Sequence, residues 1–196
     1  MTTAAGRALR MAVAGGAAGG LALAGYVGLV TGACPLDLGV GRRTRRLGPQ
    51  EVRVRASREV VFDVIAAPYL GRQTRAMAEK IRVLERGADM VLAMHFTPVH
   101  GGRLTARTVE TVRFTRPERV DFRLVRGPVP HVVEEFLLTE AGGGTLLEYR
   151  GEMAADLWSL GQRWSDLVAA GWERAVAESF RAVAAEAERR TAAARR

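Results

Sequence analysis

The chain has 196 residues, enough for one domain with a sizeable core plus an appendage. Its net charge of +8 looks like a nucleic-acid signal until it is located: residues 1–49 hold six Arg against Asp37 and residues 189–196 hold four Arg, while 50–188 holds 19 basic and 20 acidic side chains. A neutral body excludes the one-sided basic face of a nucleic-acid binder, and a single cysteine, Cys34, excludes an intramolecular disulfide.

A basic amino terminus (1–10, with Arg7 and Arg10) precedes residues 11–36, which contain no charged side chain. A run of that length can cross a hydrocarbon core of about 30 Å as a helix, so a retained single-pass membrane anchor is expected. Two alternatives use the same residues. One is a cleaved signal peptide at the small-x-small site Ala22-Leu23-Ala24; the other is a lipoprotein signal ending Thr31-Gly32-Ala33-Cys34. Arg42, Arg43, Arg45 and Arg46 follow, and the positive-inside rule keeps the larger basic cluster, and with it the folded domain, on the cytoplasmic side of the cell membrane. That cluster either meets anionic lipid headgroups or serves only as a stop-transfer flank.

Residues 37–49 read as a basic linker. Gln50 to Arg55 alternates through Val52 and Val54 as a first strand. Ser57 caps a helix over 58–67 that turns Val60, Val61, Val64 and Ile65 inward, and Pro68 stops it. A second short helix or a loop covers 69–78. Six segments then follow, at 80–85, 90–97, 104–114, 120–125, 132–138 and 145–152, joined by turns mostly rich in Gly and Pro, as in an antiparallel meander. The last stretch, Asp156 to Arg190, repeats Leu157, Leu160, Trp164, Leu167, Val168, Trp172, Val176, Phe180 and Val183 at steps of three and four. That is the stripe of one long amphipathic helix, with Asp156 as N-cap and Gly161 as a weak point.

A curved antiparallel sheet hides one face, and the final helix is the element large enough to cover it. The expected fold class is α+β over 50–190, followed by a basic tail at 191–196. This order, with Ser57-x-Glu59-x-Val61-Phe62-Asp63-Val64-Ile65 early, Gly144-Thr145-x-Leu147-x-Tyr149 late and a Trp-bearing closing helix, resembles the START-like superfamily. The resemblance implies the helix-grip fold of polyketide cyclases, lipid-transfer domains and ubiquinone-binding proteins. It also implies an apolar cavity between sheet and helix that takes lipids, polyketides or quinones, with catalysis in only some members.

Catalytic signatures are sparse. There is no G-x-S-x-G and no phosphate loop, and His95, His100 and His131 lack metal-ligand spacing, so neither a metal nor a cofactor is expected. Strand parity groups Glu110 with Val112 and Phe114, and Glu134 with Val132, Phe136 and Leu138. If those faces line the cavity, desolvation raises a carboxyl pKa and makes a general acid or base; otherwise the two pair with an Arg such as Arg113 or Arg123. His131, after Pro128-Val129-Pro130, is either a proton donor at the cavity mouth or a turn histidine. His95 lies on a strand with two apolar faces, which parity cannot orient. The expected lining is Glu110, Val112, Glu134, Phe136, Leu147, Tyr149, Trp164, Val168 and Trp172, although Tyr149 and the tryptophans also read as packing. Together these describe a membrane-tethered module that binds a hydrophobic small molecule. The alternatives are a cyclase/dehydratase-like enzyme using Glu110, Glu134 or His131, and an interaction protein whose cavity its own side chains fill.

Overall fold

Residues 20–71, 77 and 79–195 are described by a computed structural model. Helix α1 occupies 20–30 of these. It is followed by β1 (Arg43–Val54), α2 (Arg58–Leu70), β2 (Ile81–Arg86), β3 (Met90–Val99), β4 (Leu104–Thr115), β5 (Arg119–Arg126), β6 (His131–Ala141), β7 (Gly144–Ala155) and α3 (Trp158–Ala194). The strands form one antiparallel sheet in the order β1-β7-β6-β5-β4-β3-β2. Five hairpins build β2 to β7, and α2 carries the chain from one sheet edge to the other. The α+β helix-grip architecture is as expected, with α3 lying along β1 and β7 and against α2.

Alternation decides what faces in. On β6, Val132, Glu134, Phe136 and Leu138 are buried; on β7, Thr145, Leu147, Tyr149 and Met153 are. The register stacks these rows, setting Phe136 opposite Tyr149 and Leu138 opposite Leu147. Fully burying one such side chain is worth roughly 1.5–3 kcal/mol, so the inner face supplies the core.

Several local expectations are corrected. Strand β1 begins at Arg43, inside the expected linker, because a bulge between Leu47 and Gln50 absorbs Gly48 and Pro49 without ending the pairing with β7. Helix α2 continues through Pro68 to Leu70; a proline in the last turn forfeits one late backbone bond, and Gly71 N–H still reaches the Ala67 carbonyl at 3.0 Å. Of the short helix or loop expected at 69–78, residues 72–76 and 78 lie outside the described residues.

Helix α3 buries Gly161, Ser165, Ala169, Val176, Phe180 and Ala187, whereas Leu160 and Leu167 are 65% and 57% exposed. Close approach explains this: a Cβ on Gly161 would stand 1.6 Å from the Asp156 carbonyl oxygen. Small residues therefore hold the contact line between 161 and 169, where Leu160 and Leu167 are pushed off it, and Val176 and Phe180 continue it. Asp156 is not the N-cap either. Leu157, in the left-handed region at φ 73°, takes that place, and the Asp156 carboxylate accepts from the backbone of Leu38 (2.6 Å) and Gly39 (2.8 Å) and from Arg42 Nε (2.7 Å).

Those bonds fasten a strap. From the end of α1, Thr31 accepts from Arg107 N (3.0 Å) and Ala33 from Arg126 (2.7 Å), while Val40 and Gly41 accept from Leu157 N and Trp158 N. Two arginines of the basic cluster meet α3, Arg45 at Asp166 (2.7 Å) and Arg43 at Gln162 (3.4 Å). Among the described residues no helix is long and apolar enough to cross a membrane. Residues 11–19 of the expected anchor lie outside the described residues.

Candidate functional site

Where α3 faces the middle of the sheet, two polar groups interrupt the apolar inner surface. On β4, the Glu110 Oε1 accepts from the Thr108 hydroxyl at 2.5 Å. Its Oε2 stands 3.2 Å from Nδ1 of His95 on β3, and His95 Nε2 lies 2.8 Å from the hydroxyl of Tyr69 on α2. On β6, the Glu134 Oε2 accepts from the Tyr149 hydroxyl of β7 (2.9 Å) and from Nε1 of Trp172 on α3 (2.8 Å). Both carboxylates are buried.

Their environments drive them apart. Burial alone would lift Glu110, but the charge and hydrogen bonding of His95 outweigh it and hold the carboxyl below its ordinary range. Burial likewise opposes a charged His95, yet the negative Glu110 wins and raises the imidazole. Glu134 has no such partner. Burial, and then the charge on Glu110, push it up to about 7. One site thus contains an ion pair and, beside it, a carboxyl poised to exchange its proton near neutrality, which can serve as acid or base.

Packing around the network is uneven. Toward α2 the rings of Tyr69, Phe114, Phe122, Phe136, Tyr149 and Phe180 form a continuous cluster with centroid separations of 4.9–6.3 Å. Beside each carboxylate the wall is small on one flank, Ala93 lying opposite Glu110 and Gly151 opposite Glu134, and bulky on the other, where β5 sets Leu124 opposite Glu110 and Phe122 opposite Glu134. A Cβ on Gly151 would come within 2.8 Å of the Glu134 Cβ. At the first turns of α3, Trp164 Nε1 donates to the Pro128 carbonyl (2.8 Å). Tyr26 of α1 places its ring edge-on to Trp164 at 6.3 Å and its hydroxyl 3.0 Å from His100 Nε2. Two open grooves, of about 670 and 470 Å³, lie elsewhere. One is lined by residues such as Glu135, Glu148 and Arg150 and also touches Glu134 and Gly151, the other is lined by Arg55, Ser57 and Arg190.

Of the expected lining, Glu110, Glu134, Tyr149 and Trp172 belong to this network. Val112 and Leu147 are fully buried in the core, Phe136 joins the aromatic cluster, and Trp164 and Val168 are partly buried on α3. His131 is corrected: it faces outward, one step out of phase with Val132 and Glu134, with Nε2 3.0 Å from Glu152. Arg113 and Arg123 occupy outward positions as well, Arg113 pairing with Asp89 at 3.3 Å, so the expected Glu–Arg pairing does not form. Sequence reasoning could not orient His95 and missed Thr108 and Tyr69. The missing signal was the β3–β4 register, which pairs His95 with Thr108 and Ala93 with Glu110 and so turns His95 inward. No metal-binding group of three or more His, Cys, Asp or Glu occurs among the described residues.

The sequence model of the family described as "Polyketide cyclase / dehydrase and lipid transport" matches residues 49–188. No curated protein matches the sequence. Among solved structures, the Zhui aromatase/cyclase from a Streptomyces species aligns with TM-score 0.61 at 19% identity, over 76% of this chain and 96% of its own. The di-domain ARO/CYC StfQ from the steffimycin biosynthetic pathway gives 0.56 at 15%, over 77% and 52%. Truncated norcoclaurine synthase from Thalictrum flavum gives 0.52 at 13%, over 76% and 93%. At these identities the likeness is one of fold.

Proposed function

Because the chain belongs to the polyketide cyclase / dehydrase and lipid transport family, we propose that it binds a hydrophobic small molecule between the inner sheet face and α3. The observation that carries this reading is the pair of buried carboxylates on a largely apolar wall, each with an Ala or Gly on one flank and a bulky apolar residue of β5 on the other. Burying two carboxyl groups is costly. A core selected for stability alone would fill those positions with aliphatic side chains. An apolar concavity with a few convergent polar groups is what a small-molecule site needs.

The test is direct. Mass spectrometry of an organic extract of the purified full chain should find a bound apolar species, and the uncharged fluorophore N-phenyl-1-naphthylamine should gain fluorescence on titration with the chain. If neither occurs, the binding reading is withdrawn.

A second reading rests on one further observation, the displacement of Glu134 to about 7 beside the His95–Glu110 pair. In an acid–base enzyme of the cyclase/dehydratase type, Glu134 would give or take the proton while Trp172 and Tyr149 hold it in place. Attachment to a membrane through the uncharged run 11–36 completes the proposal.

A further inference from the structure

The hollow proposed above as the binding space would carry an electrostatic sign. Its inward polar groups are Glu110 and Glu134, the hydroxyls that serve them, the Trp172 indole and His95. Among the described residues, no Arg or Lys bonds to or pairs with either carboxylate, and the charges acting on them come from one another and from His95. The neighbouring arginines are engaged outside: Arg45 with Asp166, Arg58 with Glu140, and Arg86 with the Tyr69 carbonyl. His95 is the cation of the network, and it is committed to Glu110.

The Tyr69 hydroxyl meets His95 Nε2 at 2.8 Å, and the donors that face the carboxylates are committed to them. Thr108 donates to Glu110, and Tyr149 and Trp172 donate to Glu134. Both bonds to Glu134 fall on Oε2, so Oε1 takes part in neither. The hollow therefore meets a ligand with acceptors and negative charge, and among the described residues no Arg or Lys is turned toward it.

We propose that the hollow selects uncharged or cationic hydrophobic molecules carrying a hydrogen-bond donor, such as a long-chain alcohol, phenol or amine, and rejects those carrying a carboxylate or phosphate. The inference rests on the binding reading above and narrows it. A ligand carboxylate would lose its hydration on entry. It would then face the Glu110 carboxylate at short range in a medium of low dielectric with no counter-charge of its own. A hydroxyl or ammonium would lose water as well but would recover a bond to a carboxylate oxygen. Rejection built from an unmatched charge is how a site discriminates between ligands of equal apolar bulk.

Three ligands of one chain length isolate the headgroup: dodecanol, dodecylamine and dodecanoate. Each is titrated at pH 8 against the full chain loaded with N-phenyl-1-naphthylamine, and displacement of the probe is read by fluorescence. Dodecanol and dodecylamine should displace it at concentrations at least tenfold below dodecanoate. In Glu134→Gln or Glu110→Gln, whichever retains a cooperative melt, the gap between dodecanol and dodecanoate should narrow several-fold. Dodecanoate displacing the probe as well as dodecanol overturns the inference and leaves the binding reading intact. A gap that neither substitution changes overturns the assignment to these carboxylates. Failure of the probe itself to bind overturns the binding reading and this inference together.

Discussion

At Glu134 the fold changes the chemistry of a single side chain. An unfolded glutamate titrates near 4.3; burial and the charge of Glu110 carry this one to about 7. The native state holds the proton more tightly than the unfolded chain. The resulting stability is complete below the ordinary carboxylate range and is lost as the pH rises through about 7. Every tenfold gain in proton affinity corresponds to about 1.4 kcal/mol, so a few kcal/mol depend on pH here. Glu134→Gln keeps the shape, and its amide oxygen can still accept from Tyr149 and Trp172, while the titration is removed. In thermal melts the Tm of the variant, relative to the parent, should move upward by several degrees between pH 5 and pH 8. A difference that stays flat would mean that Glu134 does not titrate in that interval, and the acid–base reading would lose its acid. His95 teaches a related lesson. It was visible in the sequence, but its direction depended on a cross-strand partner that no local pattern names.

Among the elements, α3 shows how a periodic pattern can be right about a helix and most of its buried face, yet misplace two of its residues, Leu160 and Leu167. Steps of three and four are satisfied by Leu160 and Leu167 as well as by Gly161, Ser165 and Ala169. Hydropathy favours the leucines; close packing chose the small residues. Substitution separates the two criteria. Gly161→Ala raises helix propensity by about 1 kcal/mol, yet its methyl group meets the Asp156 carbonyl. The net cost should be about 2 kcal/mol or more, in the range of overpacking. Leu167→Ser removes an apolar residue from solvent and should stay within about 0.5 kcal/mol. Urea unfolding of both variants checks the order; a larger loss for Leu167→Ser would reverse the assignment of the contact line.

On the scale of the whole molecule, the strap sets a limit on the amino-terminal run. Residues 26–36 lie in or next to the segment bonded to His100, Arg107, Arg126 and Asp156. With that segment docked, 11–25 remains, which as helix would span about 22 Å, short of a core of about 30 Å. Membrane attachment and a docked strap are compatible if the run enters the bilayer without crossing it. The full chain should then pellet with membranes at physiological salt and be released by an alkaline carbonate wash. Resistance to the wash would mean that the run crosses, and that the contact of Tyr26 with Trp164 is given up.

The sequence by itself determined the element order, the alternation that buries Glu110 and Glu134 beside Val112 and Phe136, and the long closing helix, because periods of two and of three to four are local properties of the chain. The tertiary structure alone decided that His95 meets Glu110 and that Asp156 holds the strap. It also set Arg42, Arg43 and Arg45 against α3 and its anchoring loop, and gave the buried positions at the start of α3 to Gly161, Ser165 and Ala169. Each of those outcomes rests on a distance between residues far apart along the chain, as with Asp156 and Leu38 at 118 positions, and such a distance exists only once register and helix placement are fixed.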